Sequence, residues 1–186
     1  TNKVYTNLSE GVSQGATTAR VASSTSFAAN DKVLIWQTTG TKAGTWEVLE
    51  ISSISSPIIT FKSAFVNSFT ATGTQLLMMS EYTKASFRQG ASFENKEWDG
   101  ENGGIVAFFA RDGVYVSTST NLSLNGWGLR GGAGGGSSAL GFQGEGVTGT
   151  STVTAQSIAR NGNGGGGGQT GTEAVNNGAG GGNGDY

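Results

Sequence analysis

Four acids stand in and just ahead of one glycine turn: Glu94, Glu97, Asp99 and Glu101. Two kinds of chemistry use carboxylates placed in this way. Working as a pair, they would act as the acid and the base or nucleophile of a glycoside hydrolase. In the stretch Trp98-Asp99-Gly100-Glu101-Asn102-Gly103-Gly104, Asp99 and Glu101 together with the Asn102 amide would offer oxygen ligands to calcium. The third and fourth spaced acids of a calcium loop are missing, so an ordinary turn on a solvated face competes with both readings. Calcium is the one cofactor the sequence offers, and Asp99, Glu101 and Asn102 are its candidate ligands.

Aromatic chemistry is the second candidate. Gly126-Trp127-Gly128 sets an indole between flexible residues, as sugar-binding platforms do, and Trp98 lies beside the acidic turn. An indole capping the β core is the alternative. Arg130 and Arg160 each border a glycine-rich stretch and could tether extended backbone carbonyls.

The missing residue types narrow the rest. The 186 residues include no histidine and no cysteine, which excludes Ser-His and Cys-His dyads, imidazole or thiolate zinc sites and disulfides within the chain. No glycine pattern is followed by the Gly-Lys-Ser/Thr of a phosphate loop. Charged residues make up 13% of the chain and the net charge is −2, which leaves no footprint for nucleic acid and no polybasic patch for anionic lipid. No apolar run reaches the length of a membrane span. The chain begins at Thr1, which fits a processed product or a trimmed chain. The expectation is a protein that is not an enzyme.

The elements that must position these residues are β-strands. Residues 1–99 hold 6 of the 33 glycines and are rich in Thr, Ser, Val, Ile and Phe; residues 100–186 hold the other 27. Two domains are expected with that boundary: a β-rich barrel or sandwich over 1–99 and a glycine-rich β/polyglycine region over 100–186. No stretch sustains the apolar spacing of a helix, so almost no helix is expected. Strands are predicted over Asp31–Thr38, Thr45–Ile54, Ile58–Lys62 and Gln75–Ser80, with turns at Thr39–Gly44 and Ser55-Ser56-Pro57. Short strands with polar turns favour a small antiparallel barrel or sandwich. Three later segments, Gly103–Ala110, Gly113–Val116 and Asn121–Leu124, read as hairpins or as successive rungs of a β-solenoid; the Ser117–Thr120 ladder tilts the choice to rungs. A short echo links Tyr5-Thr6-Asn7 and Gln14-Gly15-Ala16-Thr17 to Tyr82-Thr83-Lys84 and Gln89-Gly90-Ala91-Ser92. It points to edge strands or coils of one kind on either side of the barrel.

Three glycine clusters follow. Gly131, Gly132, Gly134, Gly135 and Gly136 form the first, Gly164, Gly165, Gly166, Gly167 and Gly168 the second, and Gly180, Gly181 and Gly182 the core of the third. A flexible linker is one reading. Apolar spacers such as Leu140, Phe142, Val147 and Val175 favour an ordered one, in which threefold extended backbones hydrogen-bond sideways in a polyglycine II arrangement. Ordering glycine costs more backbone entropy than ordering any other residue, so partners beyond this chain are expected to supply bonds. That makes the clusters candidate assembly surfaces.

The segment Gly103–Gly136, in which GGIVAFF runs into Gly126-Trp127-Gly128-Leu129-Arg130-Gly131-Gly132, resembles the glycine-rich secreted and cell-surface proteins of bacteria, adhesin-like ones included. The glycine clusters are also similar to the polyglycine tip domains of phage tail-fibre adhesins. These resemblances imply an extracellular or cell-surface location and a structural or adhesive role. The leading expectation is a self-assembling subunit of a fibre, sheath or surface layer, a homo-oligomer or homopolymer. The alternative is an adhesin or carbohydrate-binding module that contacts a surface glycan through Trp98 and Trp127.

Overall fold

The structure is a computed structural model that describes residues 4–40 and 42–130. The three glycine clusters and Arg160 lie outside the described residues, as does the proposed polyglycine packing. Nine strands are present, and the described residues contain no helix: β1 (Tyr5–Asn7), β2 (Thr18–Arg20), β3 (Lys32–Gln37), β4 (Trp46–Ser55), β5 (Ile58–Phe61), β6 (Thr74–Tyr82), β7 (Ala85–Phe87), β8 (Phe108–Ala110) and β9 (Val114–Val116). The chain is all-β.

Six strands pair antiparallel in the order β1-β6-β3-β4-β5-β2. The sheet curls, helped by a register shift between Ile51 and Ser53 that bends β4. Its two end strands meet just beyond β1 and β2. Leu8 bridges Val21, the Ser9 N–H donates to the Arg20 carbonyl at 3.0 Å, and the Ala22 N–H donates to the Asn7 carbonyl at 2.9 Å. The enclosed core takes Val33 and Ile35 from β3, Leu49 and Ile51 from β4, Ile59 and Phe61 from β5 and Leu76 from β6. Phe61, Phe65 and Phe69 stack edge to face within it, with ring centroids 5.2 and 6.0 Å apart.

Two strands are buried on both faces. Leu34 of β3 and Leu77 of β6 lie opposite each other, point away from the core cluster and are still buried. The segment that carries the acidic turn, residues 94–105, is bonded to this outer face through Tyr5 of β1, which lies opposite Leu77, and Gln75 of β6. This explains the solid apolar runs of KVLIWQ and TQLLMM, where a half-exposed strand would alternate.

Beyond the barrel the pairing becomes parallel. Residue Ser80 of β6 lies opposite Phe108 of β8, and Ala85 of β7 opposite Val114 of β9. Partners 28 and 29 residues apart are the pairing of stacked coils, but β8 and β9 stack on β6 and β7 and not on each other, as successive rungs would. Two further details differ from expectation. Asn121–Leu124 is not a strand, and Ser117–Thr120 is a turn closed by a 2.9 Å bond from the Thr120 N–H to the Ser117 carbonyl. The hydroxyls explain the bend, because Thr120 Oγ1 donates back to the Phe87 carbonyl instead of joining a ladder. The sequence echo has a structural counterpart: Ser13–Ala16 and Arg88–Ala91 are matching turns, with Gly15 at φ +86° and Gly90 at φ +81°. The expected boundary at 99/100 is crossed by bonds from Gln75 to Gly103 and from Tyr5 and Asn7 to the same segment.

Candidate functional site

The 94–105 segment is fixed by side chains that grip its backbone. Gln75, fully buried on β6, donates from Nε2 to the Gly103 carbonyl at 3.2 Å and to Thr38 Oγ1 at 2.8 Å. Its Oε1 accepts the Gly103 N–H at 2.9 Å. Gly103 has φ +99°, and a Cβ there would overlap the Glu97 carbonyl, so only glycine fits the clamp. Tyr5 of β1 donates its hydroxyl to Asn95 Oδ1 and lies 3.2 Å from the Ile105 carbonyl, which also accepts from Asn95 Nδ2. Burial pushes the Tyr5 phenol up to about 12, outweighing its hydrogen bonds to Asn95 and the Lys96 backbone.

The acidic turn itself is a closed knot. Asp99 Oδ1 accepts the N–H groups of Glu101 and Asn102, each at 2.8 Å, and Oδ2 pairs with Lys96 Nζ at 2.6 Å. The same ammonium donates to Asn102 Oδ1. Burial alone would raise the Asp99 carboxyl, but Lys96 and the two N–H groups outweigh it and hold it at about 2. Two of the three oxygen donors expected to hold calcium are thus engaged by a lysine from the same turn, and a cation already sits between them. Glu101 faces a different cleft, lined also by Asn7, Thr72 and Gly100. Among the described residues no group of three or more acidic, histidine or cysteine side chains is gathered to hold a metal.

The two indoles part company. Trp98 is 7% exposed and packs beside Gly104, where an added Cβ would come within 3.0 Å of the Trp98 Cβ. Little of its ring is open to a ligand, and Trp98 does not line the groove that Trp127 borders. Trp127 is half-buried. A turn from Leu124 to Trp127, closed at 3.1 Å with Gly126 at φ +78°, delivers it to the segment. Its carbonyl then accepts the Trp98 N–H at 3.1 Å. Trp127 shares with Glu94, Asn95 and Lys96 an open groove of about 490 Å³. Trp127 and Glu94 therefore border one open groove with Asn95, whose amide bonds Tyr5 and Ile105, and Lys96, whose ammonium bonds Asp99 and Asn102. Arg130 packs its guanidinium over Gly100, at the far side of the knot.

Sequence reasoning found Trp127 and Glu94 but not Asn95, Lys96, Tyr5 or Gln75. The polar run Glu94-Asn95-Lys96-Glu97 was visible; its meeting with a tryptophan some thirty residues later was not.

No family model and no curated protein matches the chain. Among solved structures it is similar to three phage tailspikes. The tailspike of Pseudomonas phage LKA1 aligns at 16% identity and a TM-score of 0.41 over 72% of this chain and 24% of that one. The tailspike of Pseudomonas phage phi297 aligns at 13% identity and a TM-score of 0.41, over 72% and 22%. That of Acinetobacter baumannii bacteriophage AP22, solved with a capsular saccharide of its host, aligns at 15% identity and a TM-score of 0.37, over 45% and 17%. The chain thus spans less than a quarter of the length of each of these tailspikes.

Proposed function

We propose that this chain is an extracellular adhesin or receptor-binding module that takes a surface carbohydrate in the Trp127 groove. The carrying observation is the half-buried Trp127 indole beside Glu94, Asn95 and Lys96 on one concave surface. A sugar ring has an apolar face of C–H groups and a rim of hydroxyls. The indole matches the first, and the polar border of the groove, with Glu94 on it, matches the second. The groove is set before any ligand arrives, because Gln75 and Tyr5 hold its wall, so little ordering cost is left for binding. The reading is of binding without bond cleavage: among the described residues Glu94 is the one acid that lines the groove, where a glycosidase pairs two, and nearby Asp99 is tied to Lys96. Screening the full chain and Trp127→Ala on a glycan array tests it: binding by the first and loss in the second is expected. Equal signals from both would refute the groove, and release of reducing ends from a bound glycan would refute the non-catalytic part.

Self-association is the second reading, supported by a different observation. Among the described residues β9 pairs only with β7, and Val114, Tyr115 and Val116 are 51%, 53% and 53% exposed. Such an apolar edge is suited to pairing with another copy. Sedimentation velocity across a concentration series checks it. A monomer at every concentration would refute it.

A further inference from the structure

The turn that walls the Trp127 groove also walls a second cleft, of about 500 Å³, on the other side of the Lys96–Asp99–Asn102 knot. We propose that this second cleft is a further subsite for a neutral polyhydroxylated sugar, so that the module takes an oligosaccharide across two clefts. The proposal rests on the carbohydrate reading of the Trp127 groove.

The lining chemistry carries the assignment. The cleft presents the Asn7 amide, the hydroxyl residues Ser9, Thr39 and Thr72, and the Glu101 carboxylate; its two apolar residues are Ala71 and Leu8, and Leu8 is buried in the core. Among the described residues no aromatic side chain lines it, and the Arg130 guanidinium packs over Gly100 at its border. An apolar ligand would gain little there, and an anion or a cation would each meet a like charge, in Glu101 or in Arg130, which a neutral ligand avoids. Hydroxyl groups, which both donate and accept, suit an amide, hydroxyls and a carboxylate together.

The walls are preformed. Gln37, fully buried, donates from Nε2 to the carbonyls of Thr39 and Thr72 at 2.7 and 2.9 Å, and its Oε1 accepts from the Thr70 N–H and from Thr74 Oγ1. The N–H groups of Thr38 and Thr39 both donate to the Gly73 carbonyl, at 2.6 and 3.2 Å. Asn102 Nδ2 donates to Asn7 Oδ1 at 3.2 Å, which ties the acidic turn to the opposite wall. With the backbone so committed, the exposed Thr72 and Glu101 are left to meet a ligand with their side chains.

Connectivity sets the distance between the clefts. Lys96 borders the Trp127 groove and Gly100 the second cleft. Four residues span at most about 14 Å even when extended. A linear oligosaccharide of a few rings is long enough to reach from the Lys96 border of the first cleft to the Gly100 border of the second. The second cleft offers hydrogen bonds without stacking, so it reads hydroxyl pattern, whereas the first reads the apolar face.

The test is a ¹⁵N-correlated NMR titration of the full chain with methyl glycosides of glucose, galactose, N-acetylglucosamine and rhamnose. Expected are saturable shifts in two separate groups: the Trp127 indole and the Asn95 and Lys96 amides, and the Thr72, Gly73, Gly100 and Glu101 amides. Glu101→Ala should abolish the second group and leave the first. Shifts confined to the Trp127 group would overturn the second cleft and keep the first. Shifts confined to the Thr72–Glu101 group would keep the second cleft as a sugar site and overturn the Trp127 reading. With no shifts at all, both fall.

Discussion

Gln75→Met is the most informative single change. Methionine has nearly the length and shape of glutamine, so the space stays filled while three hydrogen bonds vanish. The groups left behind are the N–H and carbonyl of buried Gly103 and the hydroxyl of buried Thr38. An unsatisfied buried polar group costs about 1–3 kcal/mol. The Thr38 hydroxyl can rotate to another acceptor, and a buried thioether gains some apolar burial, so a net loss of about 2–5 kcal/mol is expected. Against a typical total of about 5–15 kcal/mol, that is a large fraction. The loss has two ways to appear. If the 94–105 segment stays docked, the urea midpoint falls. If it detaches, the sheet melts nearly as before, while hydrogen exchange accelerates at the amides of Trp98, Gly103 and Gly104, whose N–H groups bond within the segment or to Gln75 and Trp127. A variant with both a loss under about 1 kcal/mol and unchanged exchange at those amides would refute the clamp.

Three further outcomes are expected. Gly103→Ala forces a Cβ into the Glu97 carbonyl at φ +99° and should destabilise by more than about 2 kcal/mol in a urea melt, whereas Gly128→Ala, with open space around it, should cost under about 1 kcal/mol. The Asp99 carboxyl is held at about 2, below its unfolded value, so its stabilisation is present above about pH 4 and is lost as pH falls towards 2; exchange at Glu101 and Asn102 should rise over that window in the wild type and not in Asp99→Asn. The Tyr5 phenol is pushed up to about 12, so the folded form keeps its proton longer than the unfolded chain. Stability should fall as pH rises from about 10 towards 12, and Tyr5→Phe should flatten that slope in a pH series of melts.

Much of the barrel was legible because its signals are local. Strands β3 to β6 appear where Lys32–Gln37, Trp46–Ser55, Ile58–Phe61 and Thr74–Tyr82 carry apolar runs between turn residues, and burial rewards those runs directly. Strands β1, β2 and β7 have three residues each, too few for a periodic pattern, and owe their existence to the neighbours they pair with. The solid run in β6 marked a strand but not its meaning. Two-sided burial demands a cover, and the sequence does not say that residues 94–105 bond to that outer face. The same gap hid the candidate site. Trp98 and Trp127 sit in equally glycine-rich surroundings and both lie against Gly104, yet one is buried and the other borders a groove, a difference that local composition does not carry. Asp99 looked available for a cation, but Lys96, only three residues away, is its partner.

The clamp on the 94–105 segment touches mostly main chain. Gln75 holds both backbone groups of Gly103, and Tyr5 reaches the Ile105 carbonyl. A socket that recognises peptide groups is indifferent to most of the side chains it carries. The groove-lining position Glu94 and the cleft-lining position Glu101 can therefore be exchanged while Tyr5, Asn95, Gln75 and Gly103 keep the segment seated and Lys96 keeps its knot. The barrel then works as a constant frame with a replaceable reading head: under the proposed function, diversifying those two positions is a route to new sugar preferences on an unchanged fold.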